Sequence, residues 1–238
     1  MKMKPIYKTD FLDLFHCDNM ELMAQYPDKY FDLAIVDPPY GISVNMNAGR
    51  KKDTKSKKRA VKKWDSEAPN EEYFSELKRV SKNQIIWGAN HMIDRIKTNS
   101  QGWIFWDKCV AEGCTFSDGE LAWTSFNRAL KKAVIPWSGF IGMEGEKFHP
   151  TTKPSKLYAW QLNNFAKPDF KILDTHFGSG SIALAVDKAN RLDNMNLHLT
   201  ACEIDKDYIE ASVNRISQSI KQQTFTFSGF EPILFTRT

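Results

Sequence analysis

The chain of 238 residues has no long hydrophobic run. Its purely apolar stretches are short, as at Leu33 to Val36, far below the roughly 18 residues a membrane span needs. It is also poor in cysteine: Cys17, Cys109, Cys114 and Cys202 form neither a CxxC pair nor a zinc-ligand spacing. Four in a chain of this size do not make a disulfide scaffold, so reduced, mostly buried thiols are expected. His91 and His149 have no metal-like partner spacing, and no metal is expected. Lys2 and Lys4 are followed by Pro5-Ile6-Tyr7-Lys8-Thr9-Asp10 where a secretory leader carries its apolar core, which leads to the expectation of a cytoplasmic protein. No compositional bias is present either: 42% hydrophobic and 26% charged residues are typical of a globular domain, which excludes disordered and fibrous architectures.

What is present is a sharp charge asymmetry behind a net charge of +4. The 14 residues Arg50 to Lys63 hold Arg50, Lys51, Lys52, Lys55, Lys57, Lys58, Arg59, Lys62 and Lys63 against the single acid Asp53, and the rest of the chain is mildly acidic. A run this polar cannot bury enough apolar surface to fold alone. It is either a solvated loop or a flexible arm, over about residues 45–64, that neutralises phosphates and steers association with nucleic acid.

The periodicities alternate. Phe31 to Asp37 is an apolar strand stopped by Pro38-Pro39-Tyr40-Gly41. Asn70 to Ser81 places Tyr73, Phe74, Leu77 and Val80 on one helical face, and Gln84 to Trp87 reads as the next strand. Strands are predicted at Trp103 to Trp106, Glu120 to Phe126 and, more weakly, Ala133 to Ile135. The last third gives a helix at Pro154 to Phe165, a strand at Phe170 to Leu173, a helix at Gly180 to Asn190, a strand at Leu197 to Cys202 and a helix at Lys206 to Ile220. Alternating elements imply one α/β domain with a mostly parallel sheet and helices on both faces. The tail 224–238 alternates apolar and polar residues and suggests an edge strand.

Two constellations carry chemistry. Asp174-Thr175-His176-Phe177-Gly178-Ser179-Gly180-Ser181 is a strand end and a glycine-rich turn opening a helix, with Glu203 23 residues after Gly180. The glycines let backbone approach a ligand, and the acid suits ribose hydroxyls. On residues alone this fits an adenosine-type cofactor, a dinucleotide (Gly178-x-Gly180-x-x-Ala183) or a structural turn. The second is Asp37-Pro38-Pro39-Tyr40 at the carboxyl end of its strand, where open α/β sheets place their sites. Two prolines fix the backbone, so the Asp37 carboxylate and the Pro38 carbonyl become preorganised acceptors beside the flat ring of Tyr40. That pocket suits a planar group bearing an amine.

Together these motifs resemble the exocyclic-amino DNA methyltransferases, which use S-adenosyl-L-methionine to methylate the 6-amino group of adenine or the 4-amino group of cytosine. Asp37-Pro38-Pro39-Tyr40 comes first, His149-Pro150-Thr151-Thr152-Lys153-Pro154 resembles the family's HPTxKP segment, and the glycines come last. That order is similar to the permuted, beta-type arrangement. The chain departs from the family at Thr175 and His176, which replace Pro and Phe, and at Thr152, which replaces Gln.

The resemblance implies a Rossmann-like methyltransferase fold with circularly permuted motifs. Asp37, Pro38, Pro39 and Tyr40 would hold a flipped target base. Asp18 would lie near the cofactor's adenine, and Asp37, Thr151 and Lys153 toward the methionine end. Asp174, His176, Phe177, Gly178, Ser179, Gly180, Ser181, Glu203 and Ile204 would complete the cofactor site, with Glu203 on the ribose. The partner would be double-stranded DNA gripped by the basic arm. Sequence readout is expected from a small insert at about 108–147, where Trp123, Asn127, Arg128 and Trp137 are available, the two tryptophans fitting the core as well as they fit DNA. A homodimer is an open expectation. The first position of the tetrapeptide favours adenine over cytosine. An RNA or protein methyltransferase, a catalytically silent DNA-binding relative and a nicotinamide oxidoreductase are the alternatives.

Overall fold

The computed structural model describes residues 3–42, 67–111, 117–137 and 152–228. The basic segment 50–63, the residues His149, Pro150 and Thr151, and the last ten residues therefore lie outside the described residues.

Among the described residues nine strands form one sheet: β1 (Tyr7–Lys8), β2 (Leu12–His16), β3 (Phe31–Val36), β4 (Ser81–Trp87), β5 (Trp103–Asp107), β6 (Gly119–Thr124), β7 (Lys131–Val134), β8 (Lys171–Asp174) and β9 (His198–Glu203). Their order is β1-β2-β9-β8-β3-β4-β6-β5-β7. The middle run β2-β9-β8-β3-β4 is parallel throughout. Antiparallel pairing enters at β1 with β2 and where β6 joins β4 and β5. The mostly parallel sheet read from the alternation is thus found, with an antiparallel extension carrying β5 and β6.

Helices α1 (Asn19–Met23), α2 (Glu71–Val80) and α3 (Ile93–Ile96) cover one face; α4 (Ser155–Phe165), α5 (Ser181–Asp193) and α6 (Lys206–Ser228) cover the other. A strand buried on both faces needs apolar residues at successive positions, and β3 supplies them: Leu33 and Ile35 join the core under α4 and α5, Ala34 and Val36 the core under α2. Helix α2 forms because Asn70 accepts from the Tyr73 N–H as its cap, while Glu71 and Glu72 at its start and Lys78 and Arg79 at its end complement the helix dipole. Its stripe of Tyr73, Phe74, Leu77 and Val80 is buried, each side chain contributing up to about 1.5–3 kcal/mol.

Three expectations are corrected. Residues 224–228 continue α6 instead of starting an edge strand, since no glycine or proline interrupts the chain before Gly229. Cys109 is exposed, and only Cys202 of the described cysteines is fully buried. Trp123 is a core residue whose Nε1–H donates to the Thr98 carbonyl, and Arg128 donates to the Asn164 carbonyl while lying over the Phe126 and Phe165 rings. The Trp123 ring is therefore buried in the core, and Arg128 is half-buried with one guanidinium nitrogen engaged.

Strands β8 and β3 are neighbours, yet β8 continues through α5 to β9 on one side while β3 continues through α2 to β4 on the other. Connections that diverge onto opposite faces open a crevice at the carboxyl ends of the two strands. Both motif loops emerge there.

Candidate active site

A cavity of about 280 Å³ lies in that crevice. Its wall comes from the ends of four parallel strands: Cys17, Asp18 and Asn19 after β2, Asp37 and Pro39 after β3, Thr175 to Ser179 after β8, and Glu203, Ile204 and Asp205 at β9, closed by Thr152, Lys153, Tyr158 and Tyr208. Four acids therefore face one ammonium.

Each wall segment is held by its own backbone bonding. Asp18 caps α1 by accepting from the Met20 N–H at 2.7 Å. Glu203 accepts from the N–H groups of Gly178, Ile204 and Asp205, each at 2.9 Å. Burial raises its carboxyl above the usual range, opposed by those three bonds. Gly178, at φ 51°, turns the loop so that its N–H reaches that carboxylate. Gly180, Ser181 and Asp174 stand behind the cavity wall. A Cβ on Gly180 would meet Ile216, Phe177 and Ser212 at 3.2 Å, so this glycine serves close packing against α6. Ser181 accepts from Arg215 at 2.9 Å. Asp174 is buried beneath the loop, where it accepts from the His176 N–H, and burial pushes it up to about 8.

The two departures at Thr175 and His176 form one connected unit. The Thr175 hydroxyl lies 2.7 Å from the Tyr73 hydroxyl and 3.0 Å from His176 Nδ1, and His176 Nε2 lies 3.3 Å from Asn19 Nδ2. Burial drops the imidazole to about 4, so His176 is neutral near pH 7 and presents a fixed ring to the cavity.

At the other end the tetrapeptide is tied into a charged cluster. Lys153 Nζ, whose side chain is 3% exposed, lies 2.6 Å from Asp37 Oδ1 and 3.1 Å from Glu120 Oε2, and donates to the Tyr40 hydroxyl at 3.0 Å. That hydroxyl lies 2.8 Å from Asp37 Oδ1 and 3.2 Å from Glu120 Oε2. Lys108 Nζ pairs with the other Glu120 oxygen at 2.6 Å. Burial opposes charge on Glu120, but the two lysines more than offset it and hold the carboxyl down at about 2. For Asp37 burial wins and raises it despite Lys153; for Lys153 the two carboxylates outweigh burial and raise it. Among the described residues only Oδ1 of Asp37 is engaged, which leaves Oδ2 as an acceptor on a residue that lines the cavity. Pro38 is buried and Pro39 lines the cavity.

The ring of Tyr40 is not a bare platform, because His91 stacks on it at 5.5 Å and 19°. Gly88, at φ 64°, presses on the same ring: a Cβ there would stand 2.1 Å from it. Glu120, Lys108, Gly88 and Asn19 are site residues that sequence reasoning missed. Glu120 and Lys108 carry no motif, and only strand pairing brings β5 and β6 beside the β3 loop.

Residues 98–214 match the N6_N4_Mtase family, described as DNA methylase. A 39-residue stretch is 44% identical to the Type II methyltransferase M.ScaI of Streptomyces caespitosus, spanning 16% of this chain and 13% of that protein. The fold is similar to that of M1.HpyAVI in its complex with SAM, with a TM-score of 0.55 and 17% identity over 86% of this chain and 99% of that one. It is similar as well to the PvuII DNA methyltransferase (cytosine-N4-specific), with a TM-score of 0.58 and 16% identity over 88% of each chain. Over residues 98–214 the chain thus matches the N6/N4 DNA methylase family model, and its fold is similar to that of solved DNA methyltransferases.

Proposed function

We propose that this chain is a DNA methyltransferase that uses S-adenosyl-L-methionine to methylate the 6-amino group of adenine in a short duplex sequence. The observation that carries this reading is the shared cavity, in which the Asp37-Pro38-Pro39-Tyr40 loop meets the Gly178 loop and Glu203 at the sheet's diverging crossovers.

The cavity's chemistry fits the cofactor. A carboxylate-rich wall with His176, Phe177, Tyr158 and Tyr208 suits a ligand that combines positive charge, ribose hydroxyls and a flat ring. Asp18 and Glu203 would hold its adenosine end, and Asp37, Thr151 and Lys153 its methionine end. When bound, it supplies an electrophilic methyl group, whose old bond's electrons stay with sulfur. Gly180, Ser181 and Asp174 would act through the loop they brace.

The remaining work belongs to the chain's own residues. An aromatic amine is a poor nucleophile because its lone pair is delocalised into the ring. Asp37 and the Pro38 carbonyl would accept from both N–H groups, favour a pyramidal nitrogen and aim its lone pair. The nitrogen is briefly cationic after transfer, and the Asp37 carboxylate stabilises it until a proton leaves. A paired base cannot reach this pocket, so it would be flipped out at a cost of a few kcal/mol.

The basic arm 45–64 would grip phosphates in a beta-type, single-domain enzyme, with 108–147 contributing to recognition. A second reading, transfer to the 4-amino group of cytosine, is supported by the likeness to the cytosine-N4-specific PvuII enzyme. Nucleoside mass spectrometry on unmethylated duplex DNA, with the wild-type chain and Asp37→Ala, tests both. We expect 6-methyladenine from the wild type alone, with cofactor binding largely retained in the variant through Asp18 and Glu203. Methylcytosine would replace the base assignment, and activity surviving in Asp37→Ala would refute the mechanism.

A further inference from the structure

The charged cluster holds an arrangement that opposes the proposed chemistry electrostatically, although Oδ2 of Asp37 is left as an acceptor. Lys153 and the Tyr40 hydroxyl both occupy Oδ1 of Asp37, the carboxylate that a target amine must approach. An ammonium fixed 2.6 Å from that carboxylate opposes positive charge growing on a neighbouring nitrogen, and the buried setting strengthens the opposition. The ammonium is almost wholly shielded from water, its side chain being 3% exposed. Among the described residues the one other carboxylate in contact with it is Glu120, at 3.1 Å.

We infer that Glu120 is a positioning residue for methyl transfer: it receives the Lys153 ammonium when the target amine takes Asp37. This rests on the proposed activity and deepens it. Three observations carry it. Glu120 already shares Lys153 with Asp37, so the transfer of the ion pair needs a shift of well under the length of a side chain. The Tyr40 hydroxyl lies between the two carboxylates, 2.8 Å from one and 3.2 Å from the other, so it can turn to Glu120 together with the ammonium. Lys108 binds the outer oxygen of Glu120 at 2.6 Å and anchors it, so that the carboxylate stays charged and in place while its inner oxygen exchanges partners.

The charges then balance at each stage. Before the base arrives, two carboxylates face two ammonium groups. With Lys153 drawn to Glu120 between two cations, Asp37 is left with its charge unshared, facing the amine that acquires a methyl group and a positive charge. That nitrogen gives up one proton, to Asp37 or to water, and the product is neutral. The groups that face Asp37 in this account are Lys153, Tyr40 and Glu120 in the cluster, with Tyr158 of α4 and Asp174 of β8 near enough to act electrostatically.

The test compares wild type with Glu120→Gln as full chains on a duplex that the wild type methylates, by single-turnover rates across pH. Glu120→Gln keeps shape and loses the charge, so Lys153 pairs with Asp37 alone. We expect the rate to fall about 10²-fold with cofactor affinity unchanged within about twofold, as for loss of a group acting only in the transition state. Its acid limb should move to lower pH, because an ammonium left wholly to Asp37 and the loss of a neighbouring negative charge both lower that carboxyl. With cofactor at concentrations that saturate each variant, adding Lys153→Met to Glu120→Gln should recover part of the rate, since the competitor for Asp37 is gone; a purely structural role predicts further loss. Should Glu120→Gln fail to fold, Glu120→Asp keeps the charge and should retain the acid limb. A Glu120→Gln enzyme with the wild-type rate and limb overturns this inference alone. A wild-type chain that methylates no DNA overturns the activity and the inference together.

Discussion

Gly88 is the position at which one methyl group should do the most damage for the least chemistry. Its φ of 64° lies in the left-handed region, and a Cβ there would stand 2.1 Å from the Tyr40 ring. Placing an L-residue in that conformation costs roughly 1–2 kcal/mol. Carbon atoms pack at about 3.5 Å or more, so the ring must retreat by over an ångström, and overpacking of this kind costs typically about 1–3 kcal/mol. Gly88→Ala should therefore lose about 2–5 kcal/mol in urea unfolding. Near the middle of that range the melting temperature falls by about 7–14 °C, at about 2–4 °C per kcal/mol for a chain of this size. Displacing the ring pulls the Tyr40 hydroxyl away from Asp37 and Glu120, so methyl transfer should drop as well. Cofactor affinity should hold, since Tyr40 is not part of the cavity wall. A variant that melts within 1 kcal/mol of wild type, at full transfer rate, would refute the reasoning.

Two further outcomes follow from electrostatics. Replacing Lys51, Lys52, Lys55 and Lys57 by Gln should weaken duplex binding and flatten the dependence of log affinity on log salt, by about 0.9 for each phosphate that is no longer neutralised; an unchanged slope would return the segment to a solvated loop. Asp174 gives a pH signature. Its folded-state value of about 8 lies above the ordinary carboxyl value, so between those two points the folded chain binds a proton that the unfolded chain does not. Its contribution to stability is full below about pH 4 and is lost as pH rises toward 8, at up to about 1.4 kcal/mol per pH unit. Asp174→Asn should flatten that decline in urea unfolding, and an equally steep decline in the variant would show that the proton resides elsewhere.

The legible parts of this molecule were those written locally. The apolar run of β3 stopped by two prolines, the capped stripe of α2 and the glycine turn into α5 each depend on near neighbours, and their elements stand within a few residues of where the periodicity puts them. The early part was harder. β1 and α1 are short, and the capping bond of Asp18 is visible only once the chain has turned. The departure at Thr175 and His176 read as two separate substitutions in the sequence, whereas Tyr73 and Asn19 join them into one network from elements about 100 and 157 residues away in the chain.

The sequence by itself determined the alternation of strands and helices, the two motif loops and the concentration of positive charge in one segment, because backbone stiffness, side-chain period and charge are properties of neighbouring residues. Only the tertiary structure decided that both loops face one cavity, that Gly180 serves helix packing while Gly178 serves the wall, and that Lys153 sits between Asp37 and Glu120. Those outcomes depend on which strands pair and on what is buried beside what. The Lys153 ammonium is held by carboxylates from β6 and the β3 loop, 33 and 116 residues earlier in the chain, and an ion pair across such a separation leaves no pattern in the residues flanking it.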